Sequence, residues 1–173
     1  ARDADVGHDL TRLFNFFTGH SFHEEYRKLL VAPGTLREGL VDRIRTEAAH
    51  ARNGEGGRII AKMNALEDPE IVEELYRAGS AGVEIDLVVR DICRLRPGIA
   101  NVSDTITVRS VVGRFLEHSR IIYLENADDP EYFIGSADWM TRNLDRRVEA
   151  VAPIEDEDLQ AQIDSILERY LAD

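Results

Sequence analysis

Hydrophobic positions near the start of the chain recur every three or four residues, which predicts an amphipathic helix over residues 5–18. Gly19 follows that helix as a stop signal. Three more helices are predicted, over residues 35–52, 68–80 and 156–171. Thr35-Leu36-Arg37-Glu38 has the form of a capping box, and Asp68-Pro69 offers a cap followed by proline at the first helical position.

Short apolar runs between these helices predict strands. They cover residues 28–32, 58–63, 83–89, 106–112, 120–125, 131–135 and 147–153. The first three alternate with helices as β-α-β-α-β, which predicts parallel neighbours with right-handed crossovers. The later strands have short connections, and most have no long helix between them, which suggests a mixed sheet. We therefore expect an α/β fold: a mixed sheet flanked by helices.

Length and composition indicate one globular domain. The 173 residues are 43% hydrophobic and 31% charged, and a chain of this size buries roughly 70% of its unfolded surface. The single cysteine, Cys93, cannot form an internal disulfide, which favours a reducing, cytoplasmic setting. Every apolar run is far shorter than the ~20 residues that span a bilayer. The chain begins at Ala1 with neither methionine nor a signal-peptide pattern, so we expect residues 1–173 to be a single domain cut from a longer protein.

The charge distribution favours a local anion site over a general polyanion surface. The net charge of −12 argues against nucleic-acid binding. Residues 88–120 nevertheless contain six arginines against three acids, whereas residues 149–173 contain eight acids and one base. Because charges more than ~8 Å apart are largely screened at physiological salt, the arginine cluster can still bind an anion. Only two of the 21 basic residues are lysines, so an arginine-rich composition could also explain the cluster.

The candidate functional residues lie close to the ends of the predicted strands, at one rim of the sheet. In open α/β sheets, functional groups lie beyond the carboxyl ends of the strands. An imidazole can attack or donate a proton near neutral pH, and a cation two residues along a strand neutralises phosphate oxygens on the same side. The Gly135-Ser136 turn offers backbone room for a phosphate and a hydroxyl donor. The candidate catalytic residue is His118, and the candidate phosphate-binding residues are Arg90, His118, Lys62, Asn64, Arg120, Arg146 and Arg147.

Each candidate also has a structural interpretation. A lone histidine ahead of an apolar strand is more often a hydrogen-bonded structural group. Asn64 could simply end a strand, and Arg146 and Arg147 could pair with Asp145 and Glu149. His20 and His23 flank an acidic turn but lack a third convergent ligand, so no metal site is predicted.

Four groups of residues carry a family resemblance. They are Lys62–Leu66, Val89-Arg90 with Leu95–Gly98, Gly113–Arg120, and the long unbroken run Gly135–Glu149. Together they closely resemble the C-terminal domain of bacterial polyphosphate kinase, and the resemblance extends from Asp5 to the last helix. That enzyme has two C-terminal domains, each resembling half of a phospholipase D-like catalytic unit, and the matching positions belong to the second half.

The resemblance implies a phosphotransferase that moves the terminal phosphate of ATP onto polyphosphate, reversibly, through a phosphohistidine. It implies that Arg90 and His118 contact ATP. The phosphorylated histidine and the magnesium-linked residues of the family lie upstream, so the implied partners are ATP, polyphosphate, Mg²⁺ and the preceding domains. It implies a cytoplasmic enzyme and leaves open a homo-oligomer, or a membrane-associated complex, of the full-length protein. Asp91 stands where the family is expected to have glycine, which should weaken anion binding at Arg90.

Two further functions are compatible with the sequence. A phospholipase D-like hydrolase or nuclease could complete its site as a homodimer. Such proteins have a His-x-Lys motif and a later Gly-Ser-x-Asn motif. In this chain Arg120 stands at the place of the lysine and Asp138 at the place of the asparagine. A non-catalytic docking module would use the acidic last helix to contact a partner.

Overall fold

The computed structural model describes residues 3–19, 25–114 and 116–172. Within those ranges there are five helices: α1 (Ala4–Phe17), α2 (Thr35–Asn53), α3 (Pro69–Ser80), α4 (Thr141–Arg146) and α5 (Glu157–Ala172). The strands are β1 (Leu30–Ala32), β2 (Arg58–Met63), β3 (Glu84–Val89), β4 (Ile106–Arg109), β5 (Ile121–Leu124), β6 (Glu131–Gly135) and β7 (Glu149–Pro153). No helix of this described part is long and apolar enough to cross a membrane.

The strands form one sheet in the order β1-β7-β6-β5-β2-β3-β4. β2, β3 and β4 are parallel neighbours, and the pairs from β2 outward through β5, β6 and β7 to β1 are antiparallel. The predicted mixed α/β sheet is therefore confirmed. The prediction that the first three strands are parallel neighbours is wrong for β1, which lies at the far edge beside β7. An apolar run followed by a helix does not specify which strand it will pair with.

Helices α2, α3 and α4 cover one face of the sheet. Ile59, Ala61 and Met63 alternate along β2 toward this side, where they pack with the apolar residues of the helices in the main core. Leu36 of α2 and Leu75 of α3 are completely buried there. Each fully buried side chain of this kind contributes roughly 1.5–3 kcal/mol, so this layer supplies most of the driving force for folding.

The opposite face of the sheet carries α5 and α1. Ile163 and Leu167 of α5 pack on Ile60, Ile121 and Tyr132. Leu13 of α1 packs further along the same face, on Leu29 and Val31. Because the residues of β2 alternate between faces, Lys62 emerges on the side of the sheet that α5 covers.

A buried carboxylate fastens α1 to the domain. Asp9 is fully buried and accepts hydrogen bonds from the backbone N–H groups of Arg27, Lys28 and Leu29 at 2.7–3.0 Å. Burial raises the pKa of Asp9, but these hydrogen bonds together lower it by more, so the pKa lies below its ordinary value. The helix predicted over residues 5–18 is thus an attached part of the domain.

Several local predictions need correction. β4 ends at Arg109 and not at residue 112, β7 begins at Glu149, and the six-residue α4 was not predicted. The capping box at the start of α2 is also wrong, because Gly34 is the N-cap and makes no side-chain cap. The hydroxyl of Thr35 instead accepts from the backbone N–H of Val31. Asp68 does cap α3, accepting from the N–H of Ile71 at 3.2 Å.

Candidate functional site

One rim of the sheet brings together the ends of β2, β3 and β6 with the start of β5. Met63 lies opposite Val89 and Lys62 lies opposite Ile121, while the N–H of Gly135 bonds the carbonyl of Arg120 at 3.2 Å. The N–H of Arg90 bonds the carbonyl of Met63, so Asn64 and Arg90 leave neighbouring strands side by side. The backbone pairing therefore gathers the predicted residues around β2 at the same end of the sheet.

His118 lies on the irregular segment that joins β4 to β5. Its imidazole is exposed and makes no hydrogen bond to any residue in the described ranges. The backbone around it is tightly bound: the carbonyls of Glu117 and Ser119 accept from Lys62 Nζ at 2.8 and 3.0 Å. The carbonyl of His118 accepts from Arg120 Nη1 at 2.8 Å. Three successive carbonyls are thus bound by two cations, and the ring between them is left available to a ligand.

Lys62 is buried, with 1% of its surface exposed. Its ammonium lies 5.6 Å from the centre of the Tyr170 ring of α5. Burial lowers the pKa of Lys62, and the nearby positive charges of Arg120 and Arg90 lower it further, against the carboxylates of Glu117 and Asp138. The ammonium is therefore a support for the His118 segment, enclosed between that segment and α5.

Asp138 is the centre of a buried polar cluster. Arg120 binds it bidentately, with Nε 3.1 Å from Oδ1 and Nη2 2.8 Å from Oδ2. The backbone N–H of Asn64 donates to Oδ1 at 2.7 Å, and the Asn64 amide donates to both oxygens. Burial raises the pKa of Asp138, but the hydrogen bonds from Arg120 and Asn64 outweigh it, so the pKa is lowered. The Arg120 guanidinium and the Asn64 amide nitrogen are thus occupied by a protein carboxylate, whereas Oδ1 of Asn64 is buried and has no partner among the described residues.

Arg90 differs from these bound groups. Its backbone is fixed at both ends, since its carbonyl also accepts from the Ser110 hydroxyl at 3.2 Å. Its guanidinium forms no ion pair or hydrogen bond with any residue in the part of the chain described. Asp91 is exposed, and its backbone N–H donates to the carbonyl of Asn64 at 2.8 Å. Among the described residues the Arg90 guanidinium is therefore positioned but unpaired, and its charge acts on Lys62, which binds the His118 segment.

Arg146 and Arg147 lie further along the same rim, before β7. Both are exposed. The alternative ion pairs with Asp145 and Glu149 do not form among the described residues. Asp145 binds Arg37, and the charge of Arg146 acts on it only at longer range. Glu149 accepts hydrogen bonds from the Asn143 amide and the Ser136 hydroxyl.

The Gly135-Ser136 turn serves the sheet. A Cβ on Gly135 would lie 2.6 Å from the carbonyl oxygen of Ala150 and 2.6 Å from Cγ2 of Val151. The Ser136 hydroxyl binds Glu149 and also accepts from the N–H of Ala150. The small residue at this point leaves room for β7, so the expected space for a phosphate is already filled by the protein.

Gly135→Ala should destabilise the domain. The added methyl would collide with backbone atoms of β7, which cannot rotate away as a flexible side chain can. Overpacking of this kind costs roughly 1–3 kcal/mol, and thermal unfolding would measure it. Gly7→Ala is the matched control, because a Cβ there meets nothing within 4 Å and the helical position favours alanine. Equal melting temperatures for the two variants would contradict the close approach of β7.

Two neighbours of His118, Tyr170 and Glu117, were not predicted as site residues. The Tyr170 hydroxyl donates to the Glu117 carboxylate at 2.6 Å. Tyr170 follows Ile163 and Leu167 at helical spacing, so the pattern indicates only a core position.

Metal ligands are not gathered at this rim. In the described ranges no three His, Cys, Asp or Glu side chains could hold a metal ion. His20 and His23 lie outside the described residues.

The fold is shared with two other solved proteins, one of which is a phospholipase D family member. Nuc of Salmonella typhimurium, a phospholipase D family member, superposes with a TM-score of 0.60 at 19% identity, covering 84% of this chain and 91% of Nuc. NucT of Helicobacter pylori gives 0.61 at 14% identity, covering 83% and 94%. These likenesses show that the domain has the α/β fold of a phospholipase D family member.

A more specific match defines the family. The polyphosphate kinase C-terminal domain 2 family matches residues 29–173, and the chain belongs to that family. The crystal structure of polyphosphate kinase from Porphyromonas gingivalis superposes with a TM-score of 0.94 at 42% identity, covering 99% of this chain and 26% of that one. Polyphosphate kinases of Synechocystis sp. and Thermosynechococcus vestitus are 58% and 56% identical over 169 residues. These two matches cover 98% of this chain but only 23% of either relative, and the resemblance expected from the sequence is confirmed.

Proposed function

We propose that this chain forms the nucleotide- and phosphate-binding part of a polyphosphate kinase, which transfers phosphoryl groups reversibly between ATP and polyphosphate. The names of its relatives, at 58% and 56% identity, support that activity. The observation that carries the proposal is a difference between two groups of polar side chains at the rim. Lys62, Asn64 and Arg120 are occupied by protein groups, whereas the side chains of Arg90 and His118 emerge without partners in the described part.

Such a rim suits phosphoryl transfer, because catalysis there is mostly positioning and electrostatic stabilisation. The Arg90 guanidinium can bind two phosphate oxygens as a fork, and the exposed His118 ring can donate a hydrogen bond to a third. Arg146 and Arg147 lie further along the rim, where a long anionic product would extend. Direct phosphate contacts by Lys62, Asn64 and Arg120 stay predictions. The hydrogen bonds that these side chains make to protein groups count against such contacts.

The remaining parts of the reaction are assigned to the longer protein. The family resemblance implies that the phosphorylated histidine stands in the preceding domain, together with the magnesium-linked residues. The described residues offer no cluster of metal ligands, so no step through Mg²⁺ is assigned to them. The proposed partners are therefore ATP, polyphosphate and the preceding domains, and a homo-oligomer of the full-length enzyme stays open.

A phospholipase D-like hydrolase is the second candidate, favoured by the shared fold with Nuc. The geometry of Arg120 counts against it. A hydrolase of this type would need its cation available to the phosphodiester, but Arg120 is neutralised by the bidentate contact with Asp138. The departures from His-x-Lys and Gly-Ser-x-Asn thus occur as a matched pair, each explained by the other.

The test uses the domain on its own. It should bind ATP weakly, lose that binding as salt screens the exposed cations, and make no polyphosphate from labelled ATP and Mg²⁺. It should acquire no acid-labile label, because a nucleophile must lie within about 3 Å of the phosphorus and the implied one is elsewhere. Cleavage of bis(p-nitrophenyl) phosphate would favour the hydrolase, and robust phosphorylation of His118 would overturn the assigned roles. No nucleotide binding in low salt would favour a docking module.

A further inference from the structure

The segment around His118 is bound by Lys62 of β2 on one side and by Tyr170 of α5 on the other. Two of its described apolar residues, Val112 and Leu116, are 77% and 66% exposed, so their packing contributes little to its conformation. Its ordered contacts are instead polar, and they are concentrated on the two residues that flank His118. We propose that Tyr170 of α5 is a positioning residue, which acts with Lys62 and Glu117 to orient His118 for the nucleotide. The inference rests on the proposed function.

Tyr170 reaches both neighbours of His118. Its hydroxyl donates to Oε2 of Glu117 at 2.6 Å and lies 3.5 Å from the Ser119 hydroxyl. Burial raises the pKa of Tyr170, and the hydrogen bond to Glu117 raises it further, so the phenol keeps its proton and remains a donor. A phenol bound to a carboxylate is a charge-assisted hydrogen bond, roughly twice as strong as a neutral one.

Lys62 completes the arrangement from the sheet. Its ammonium binds the carbonyls of Glu117 and Ser119 and faces the ring of Tyr170 at 5.6 Å. The network of Lys62, Tyr170 and Glu117 thus consists of one buried cation, one aromatic ring and one carboxylate. It connects β2 to the last turn of α5 through the His118 segment. Removing the tyrosine hydroxyl would release the carboxylate without creating a large cavity.

The network should affect chemistry more than stability. The imidazole of His118 makes no hydrogen bond within the described ranges, so its direction depends on the backbone on either side. A misplacement of about 1 Å at a group far from the reacting atoms can cost 10²-fold in rate. Losing one hydrogen bond at a half-buried site has a smaller effect on unfolding, because water can replace it.

The experiment compares two tyrosines in a full-length polyphosphate kinase that contains this domain. Tyr170→Phe should lower kcat/KM for ATP about tenfold by loosening the His118 segment. Tyr132→Phe is the matched control: its hydroxyl donates to Asp164 of α5 at 3.0 Å and makes no hydrogen bond to the described residues of the His118 segment. It should stay within about twofold of wild type. Glu117→Gln weakens the bond to Tyr170 from its other end and should reproduce the Tyr170→Phe defect.

A second background separates positioning from a general structural effect. In enzyme already carrying His118→Ala, adding Tyr170→Phe should cause no further loss, because residues that act through one group are not additive. An equal additional loss there, or wild-type kinetics for both Tyr170→Phe and Glu117→Gln while His118→Ala is impaired, would overturn this inference alone. Wild-type kinetics for His118→Ala would overturn the proposed role of His118 and this inference together.

Discussion

His118→Ala and Arg90→Ala are each expected to lower kcat/KM for ATP by roughly 10²-fold or more in the full-length enzyme. Both side chains emerge from fixed backbone, and neither has a protein partner in the described part of the chain. Truncation should therefore remove ligand contacts while leaving the internal hydrogen bonds in place. Steady-state kinetics at several ATP concentrations would separate the loss of binding from the loss of rate.

Two measurements make this expectation specific. Arg169→Ala removes an exposed arginine from the acidic helix α5 and should be near neutral. Melting temperatures should be unchanged for all three variants, since none of the three side chains has a partner among the described residues and such changes contribute little to stability. Wild-type kinetics for both rim variants would assign Arg90 and His118 to the protein surface. A large loss in Arg169→Ala would show that any loss of positive charge impairs the enzyme.

Arg90→Lys refines the assignment of Arg90. Lysine keeps the positive charge but loses the planar fork that matches two phosphate oxygens. If Arg90 binds phosphate bidentately, the lysine variant should keep only part of the activity. Full activity of the lysine variant would mean that only the positive charge at position 90 is needed. The negative charge of the neighbouring Asp91 would partly offset that charge.

The sequence predicts the elements of this fold better than their arrangement. Period and turn signals located the strands that became β2 and β6 with their observed bounds, because each is an apolar run closed by a clear break. They could not place β1, since an edge strand and a central strand share the same short apolar pattern. They missed α4 because six residues are fewer than two turns, too short for a hydrophobic period.

The position of the rim was predictable from the sequence, but the contacts of its side chains were not. The rule that functional groups lie beyond strand ends located the rim, because it depends only on strand direction. What each side chain contacts depends on partners that leave no sequence signal. Lys62 binds two backbone carbonyls, which any residue could supply. Tyr170 looks like an apolar position because its hydroxyl is used only after α5 packs on the sheet.

Asp138→Ala is expected to be the most destabilising change at the rim. It would leave the Arg120 guanidinium, which is 13% exposed, without its counter-charge. It would also leave the two Asn64 N–H donors without their acceptor. Removing one partner of a buried pair typically costs roughly 3–5 kcal/mol, because the remaining charge stays desolvated. Chemical denaturation would measure this loss. Glu84→Ala is the control, since its pair with Arg58 is largely exposed and should be worth at most about 1 kcal/mol.

The pH dependence of Asp138→Asn distinguishes charge from hydrogen bonding. Asparagine keeps an acceptor for the Asn64 N–H but removes the carboxylate, so its cost should be smaller than that of alanine. The pKa of Asp138 is lowered in the fold, hence its contribution is fully present above the unfolded pKa of about 3.9 and is lost as pH falls through the lower folded pKa. Wild-type stability should therefore fall more steeply in acid than that of Asp138→Asn. Parallel acid limbs for the two proteins would mean that the Arg120–Asp138 contact contributes through shape and hydrogen bonding, without a net gain from its charges.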